Sequence, residues 1–244
     1  MPGKSNSTRP DMKNMWFIWM DIARSPFLNM AIDEILIDKV VQSLDKPILR
    51  FYDWNTPSIS IGYSQTFPKS DDKHAVVRRF TGGGVVFHDS DITYSVAVPQ
   101  THPICHLNRH DSYKFFHIAI MDFFSSFGVR SELSPESSVC ENRKVMRCFV
   151  SPSKYDIISE NTKLAGAAQR RGRKGILHQG SIILPEKINL SKETLINKIK
   201  NSFEKIHSII FQEFKPDEVI LNEARLLEQN KYSTSSWNQK AEIS

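Results

Sequence analysis

Hydrophobic positions recur along this chain with two periods, and the switches between them outline its elements. From Asn29 to Val41, Met30, Ile32, Ile35, Leu36, Val40 and Val41 fall at near-helical spacing, while Asp33, Glu34 and Asp38 lie on another face. That pattern predicts an amphipathic helix. Ahead of it, Trp16-Phe17-Ile18-Trp19-Met20 is a strand-sized apolar run. Behind it, 47–52 and 58–62 are short β-rich runs around Asn55-Thr56-Pro57, which reads as a turn between paired strands. Val85-Val86-Phe87 and then Ile92 to Val98 extend the sheet until Pro99 stops it. Asp111 is expected to cap a second helix, lined by Phe115, Phe116, Ile118, Ala119, Phe123, Phe124 and Phe127 and ended by Gly128. An aromatic stripe at that spacing is core packing.

The stretch 131–152 is polar and basic and reads as a long loop, of the kind that often binds or covers a ligand. Strands follow at 155–159, 163–168 and 175–184, with Glu160-Asn161 as a tight turn between the first two. Helices are expected over 192–203 and 216–227. The periods together describe an α/β chain in which short strands alternate with a few amphipathic helices. Residues 1–14 read as a disordered tail, 15–230 as one domain and 231–244 as a polar tail.

Composition narrows the class. A chain of 244 residues with 40% hydrophobic content can bury a full core. No apolar run approaches the roughly 18 residues that span a bilayer, so no membrane association is expected. The net charge of +5 is spread along the chain, and its one dense cluster, Arg170-Arg171-Gly172-Arg173-Lys174, has no interleaved aromatics. A nucleic-acid role is therefore set aside in favour of an acidic or phosphate-bearing partner. The three cysteines, Cys105, Cys140 and Cys148, form no zinc-like pairs, which points to free thiols in a reducing compartment, cytoplasm or an organelle matrix.

Chemistry concentrates in three blocks. The first is Arg78-Arg79-Phe80-Thr81-Gly82-Gly83-Gly84-Val85-Val86-Phe87-His88-Asp89. Consecutive glycines admit positive φ and leave backbone amides open to oxygen atoms. Adjacent strand residues point to opposite faces, so at most one of Arg78 and Arg79 faces a ligand. The second block is Lys163-Leu164-Ala165-Gly166-Ala167-Ala168, and the third is His178-Gln179-Gly180-Ser181-Ile182-Ile183-Leu184. A histidine in a strand is more often a satisfied structural group, which makes His88 and His178 weaker candidates than the lysine, and no metal site is assigned.

These blocks, in this order, resemble the lipoate and octanoate protein ligase and transferase family, the lipoate-protein ligase A family, whose fold is shared with class II biotin protein ligases and implies an α/β (α+β) architecture with a mixed, mostly antiparallel sheet and flanking helices. Asn29 to Glu34, Leu49 to Trp54 and Ser60 to Gln65 resemble its early helix and next strands, so the likeness spans most of the chain. The resemblance implies protein lipoylation, by one of two routes. Transferases take a ready thioester, and in their ligase-like branch a cysteine on the loop before the lysine block carries the acyl group; Cys148 matches that place. Ligases make an acyl-adenylate from ATP and Mg²⁺, and Gly82-Gly83-Gly84 resembles their version of the loop.

On the transferase reading, which Cys148 favours, Cys148 and Lys163 are catalytic and no cofactor is needed. A free thiol has a pKa of about 8.5, so a nearby cation helps to form the thiolate. Arg79, Gly82, Gly83, Gly84, Val85, Phe87, Gly166, Ala167, His178, Gly180 and Ser181 are the expected substrate-binding residues. Apolar walls from Val85, Phe87 and 182–184 would hold the acyl chain at about 0.8 kcal/mol per buried CH₂. The donor would be octanoyl-acyl carrier protein, or lipoate for a ligase. The acceptors would be the lipoyl domains of 2-oxoacid dehydrogenases or the glycine cleavage H protein. A non-catalytic acyl- or lipoyl-domain-binding protein of the same fold is the third alternative.

Overall fold

The computed structural model describes residues 14–68, 73–135, 154–160 and 162–241. Residues 1–13 of the expected N-terminal tail lie outside them, as do Cys140 and Cys148. The first strand is β1 (Met15–Arg24). It runs into α1 (Pro26–Ile35), which is N-capped by Ser25 and continues through a π-helical turn at Leu36–Val40 into α2 (Val41–Leu44). This helical run is the crossover that a parallel strand pair requires, and β2 (Ile48–Trp54) accordingly lies parallel to β1. Both β6 (Ile92–Pro99) and β10 (Gly175–Ile182) are buried along their whole length at the middle of the sheet. With β7 (Glu132–Leu133), β8 (Ile157–Ser159), β9 (Thr162–Gly172) and β11 (Ile210–Glu213), they build an eight-stranded sheet in the order β11-β1-β2-β6-β10-β9-β8-β7. Only the β11–β1 and β1–β2 pairs are parallel, so the sheet is mixed and mostly antiparallel.

The hairpin expected between 47–52 and 58–62 does not form. Asn55-Thr56-Pro57 instead carries the chain out of the large sheet, and Pro57 offers its carbonyl to Ala75 N. There β3 (Ser58–Ile61) pairs with β4 (Ala75–Arg78) and β5 (Val86–His88) as a separate three-stranded sheet, in the order β4-β3-β5. The apolar run at 85–87 thus belongs to the small sheet and does not extend the large one.

Helices cover both faces of the large sheet. On one side α3 (Arg109–Ser125) and α4 (Lys192–His207) bury Phe116, Ile120, Phe123, Leu195, Ile199 and Phe203. The cap of α3 is Asn108, whose side chain accepts from Asp111 N, so Asp111 sits in the first turn and is not the cap. On the other side α1, the π-helical turn after it and α5 (Glu218–Leu227) pack Met30, Ile32, Leu36 and Ala224 against Tyr52, Ala97 and Leu177.

Residues 231–241 of the segment expected to be a polar tail are folded. A π-helical turn at Glu228–Tyr232 leads into α6 (Ser235–Lys240), and Lys231, Tyr232, Trp237 and Asn238 are all buried. Trp237 Nε1 donates to Arg78 O at 3.0 Å and Asn238 Oδ1 accepts from Arg78 N at 2.8 Å, so α6 covers the open edge of β4. Sparse hydrophobicity hid this, because the segment is held by polar bonds around one tryptophan and by Lys231, whose ammonium is paired with Glu34 and sits over the Phe80 and Trp237 rings.

Candidate active site

The glycine loop leaves β4 between two arginines that diverge as strand parity requires. Arg78 donates to the carbonyls of Gly62, Tyr63 and Gln65 and to those of Trp237 and Asn238. Arg79 turns the other way. Its Nη1 donates to Ser60 O and Oγ at 2.8 and 2.7 Å, and its Nη2 to the carbonyls of Gly82 and Gly84 at 3.0 and 2.7 Å. Both guanidinium groups are buried, and Arg79 braces the loop from inside. Because these peptides are trans, drawing the carbonyls of Gly82 and Gly84 to Arg79 turns the amides of Gly83 and Val85 away from it. Gly83 adopts φ +84°, the left-handed region where a side chain would be strained. Thr81 Oγ1, at the loop entry, donates to Gln179 Oε1 at 2.6 Å.

A bulge in strand β9 turns Lys163 to the sheet face that this loop covers. Ile158 pairs with Lys163 but Ile157 with Ala165, so one extra residue reverses the facing of Lys163 relative to regular alternation. The lysine consequently lies over Gly166: a Cβ there would stand 2.5 Å from both Lys163 Cε and Nζ. Lys163 Nζ is 2.6 Å from Asp156 Oδ2, with the two side chains only 3% and 5% exposed. The glycine loop closes the same face, since a Cβ on Gly83 would lie 3.3 Å from Ala168 Cβ.

Residues directly opposed across β9 and β10 share a face, which sorts the remaining expectations. Ser181 opposes Gly166 and Gln179 opposes Ala168, so both look toward the loop. Gln179 also donates to Asp33 Oδ2 at 2.7 Å, and Asp33 receives Arg50 at 2.8 Å in a buried ion pair. His178 and Gly180 point the opposite way, with Ala167, which opposes Gly180. His178 is fully buried under α3 against Phe116, bonded to Tyr94 and Gln169, and burial holds its pKa well below the ordinary value. The structure therefore gathers Lys163, Gly166, Ser181, Arg79 and the three loop glycines, and it does not bring Ala167, His178 or Gly180 to them. Val85 is half-buried, and Phe87 is 39% exposed with its ring edge-on to His74.

A cavity of about 370 Å³ opens beside the small sheet, walled by Trp54, His88, Asp91, Ile92, Leu184 and Leu195. Leu184 belongs to the expected apolar wall, whereas Val85 and Phe87 do not line this space, and neither does Lys163. No group of three potential metal ligands occurs among the described residues. Gln179, Thr81 and Asp33 were not singled out from sequence, although parity with Ser181 was enough to place Gln179 on the working face.

The chain matches the family model described as the lipoyl protein ligase A/B catalytic domain over residues 25–220. It is 35% identical to the octanoyltransferase LipM of Anoxybacillus flavithermus, over 82% of this chain and 74% of that protein. It is 30% identical to the octanoyltransferase LipM of Bacillus cereus, over 88% of this chain and 95% of that protein. Among solved structures, a lipoate-protein ligase A bound with ATP superimposes with a TM-score of 0.75 at 22% identity, covering 92% of this chain and 98% of the other. A bipartite lipoate protein ligase from Thermoplasma acidophilum gives 0.71 at 20% identity, over 92% and 96%. The two structures establish the likeness of fold.

Proposed function

The chain belongs to the lipoyl protein ligase A/B catalytic-domain family, and from that membership we propose that it is an octanoyltransferase placing an octanoyl group on a lysine of a lipoyl domain. The observation that carries the reading is its identity with octanoyltransferases across most of its length. The buried Lys163, on the same sheet face as the braced glycine loop, supports it, because a preorganised positive charge stabilises the oxyanion that develops in acyl transfer.

In the proposed reaction the thiolate of Cys148 attacks the carbonyl of an octanoyl thioester on a carrier protein. The carrier thiolate leaves and an octanoyl-cysteine thioester remains. The amine of the acceptor lysine then attacks that carbonyl, the amide forms, and the displaced Cys148 sulfur takes up the released proton. Lys163 supplies positive charge for the thiolate and for each tetrahedral oxyanion, with amides of the glycine loop as further donors. No nucleotide or metal enters this scheme; ATP and Mg²⁺ belong to the ligase alternative.

The test incubates purified protein with an apo lipoyl domain and reads acceptor mass, supplying octanoyl-carrier protein without ATP or free lipoate with ATP and Mg²⁺. Modification from the thioester alone, abolished by Cys148→Ser and lowered about 10²–10³-fold by Lys163→Ala, is expected. Modification only from free acid with ATP, unaffected by Cys148→Ser, would instead establish the ligase. No modification from either donor leaves a binding protein.

A further inference from the structure

Five polar residues from separate parts of the chain form one continuous line between the two sheets. Ser181 Oγ on β10 donates to Asp91 Oδ2 at 2.6 Å. The same oxygen faces His88 Nδ1 at 3.0 Å, and His88 Nε2 faces Ser60 Oγ at 2.7 Å. Ser60 Oγ accepts from Arg79 Nη1, and Arg79 holds the carbonyls of Gly82 and Gly84. Every member is buried. Direction follows from donor counting: bonds from His88, Ser181 and Thr93 keep Asp91 ionised despite its burial, so Asp91 only accepts. His88 Nδ1 therefore donates to Asp91, and its Nε2 lies against the Ser60 oxygen that Arg79 also holds. Trp54 stacks on the imidazole at 4.0 Å and bonds Thr93, which fixes the ring plane.

Ser60, His88 and Asp91 have the connectivity of a nucleophilic triad, but their surroundings rule that use out. Ser60 is 1% exposed, and its oxygen already receives an arginine proton, so no substrate carbonyl can reach it. What the line does is transmit position. One end is anchored on the strand face that presents Ser181 beside Gly166, and the other sets the guanidinium that determines which way the loop peptides face.

We propose that Asp91, His88 and Ser60 are positioning residues that lock Arg79 and thereby fix the peptide orientation of the glycine loop for acyl transfer. The kinetic part of this proposal rests on the octanoyltransferase reading, and the structural part does not. Asp91→Ala removes the one oxygen on which His88 Nδ1, Ser181 and Thr93 converge, so the ring loses its anchor and its fixed contact with Ser60. Ser60→Ala removes the link to Arg79 outright.

The full chain of each variant is compared with wild type by amide hydrogen exchange at Gly82 to Gly84, thermal unfolding and transfer kinetics. Exchange about tenfold faster in the loop, at a global midpoint within a few degrees of wild type, is expected. A fall of about tenfold or more in kcat with KM little changed should accompany it. Unchanged loop exchange in Asp91→Ala or in Ser60→Ala overturns the proposal, and either variant decides alone should the other fail to fold. A wild-type protein inactive in octanoyl transfer defeats the functional reading while exchange still decides the relay. An active wild type with unaffected variants defeats the relay only.

Discussion

Gly166→Ala tests the site through a single methyl group. Its Cβ would stand 2.5 Å from Lys163 Cε and Nζ and 2.8 Å from Asp156 Oδ1, whereas ordinary contacts begin near 3.5 Å, so the lysine tip must retreat by about 1 Å. The obstructing atoms end a flexible side chain, and Gly166 is not among the glycines with positive φ, so the backbone accepts alanine. Replacing glycine in a strand gains roughly 0.5–1 kcal/mol from the unfolded chain. That gain offsets part of the disturbed Lys163–Asp156 contact, and global stability should stay within about 1 kcal/mol of wild type. Catalysis should not be spared, because a displacement of about 1 Å typically costs on the order of 100-fold in rate. The assay is octanoyl transfer from carrier protein to an apo lipoyl domain, alongside a thermal melt. Gly180→Ala provides the contrast. There the new Cβ would meet the Tyr94 ring at 2.3 Å on the core face, and overpacking a rigid aromatic should cost about 1–3 kcal/mol. A Gly166→Ala enzyme with wild-type turnover would refute the placement of Lys163 at the reacting centre.

Further outcomes follow from burial and charge. Trp237→Ala should cost about 3–5 kcal/mol in urea unfolding, since it empties a fully buried site and strips a donor from Arg78 O; a loss under 1 kcal/mol would mean that α6 is not docked in solution. Arg78→Lys cannot reproduce bonds to five carbonyls and should lower stability by about 2 kcal/mol or more, with an intact melt counting against the buried fork. Burial holds His102, His117 and His207 down to about 4 and His178 well below its ordinary value. The unfolded chain, titrating near 6.5, therefore binds more protons than the folded one below that pH. Stability should fall as pH drops from about 6.5 toward 4, by up to roughly 1.4 kcal/mol per unit for each of the fully buried His117 and His178. Chemical unfolding at a series of pH values checks this, and a flat profile would contradict it.

The helical period at 29–41 and the aromatic stripe at 115–127 are legible in sequence because each buries one continuous face. Which strands pair is less legible. The runs at 47–52 and 58–62 carry the same alternation whether they form a hairpin or enter different sheets, and only long-range partners decide. In the site, the loop and Lys163 stand out as motifs. Their facing depends on a one-residue bulge between Lys163 and Ala165 that no local composition marks. Regular alternation counted from Lys163 would set Ala165 and Ala167 beside it, while the bulge selects Gly166. Arg79 shows the complementary difficulty. An arginine flanking glycines reads as a ligand anchor, yet the bonds to Ser60, Gly82 and Gly84 make it a brace, a role set by a strand neighbour 19 positions earlier.

The bond from Arg78 to Asn238 spans 160 positions of chain, and that separation orders events during synthesis. At about 5–20 residues per second, a ribosome delivers Asn238 roughly 8–32 s after Arg78. Through that interval the guanidinium lacks its Trp237 and Asn238 acceptors, and the outer edge of β4 is bare. The glycine loop hangs from this strand, so the support of that loop is complete only once Trp237 and Asn238 have been made. A nascent chain stalled before Asn238 would carry an uncovered strand edge, and polysomes crowding such chains together would favour pairing between neighbours over completion of the site.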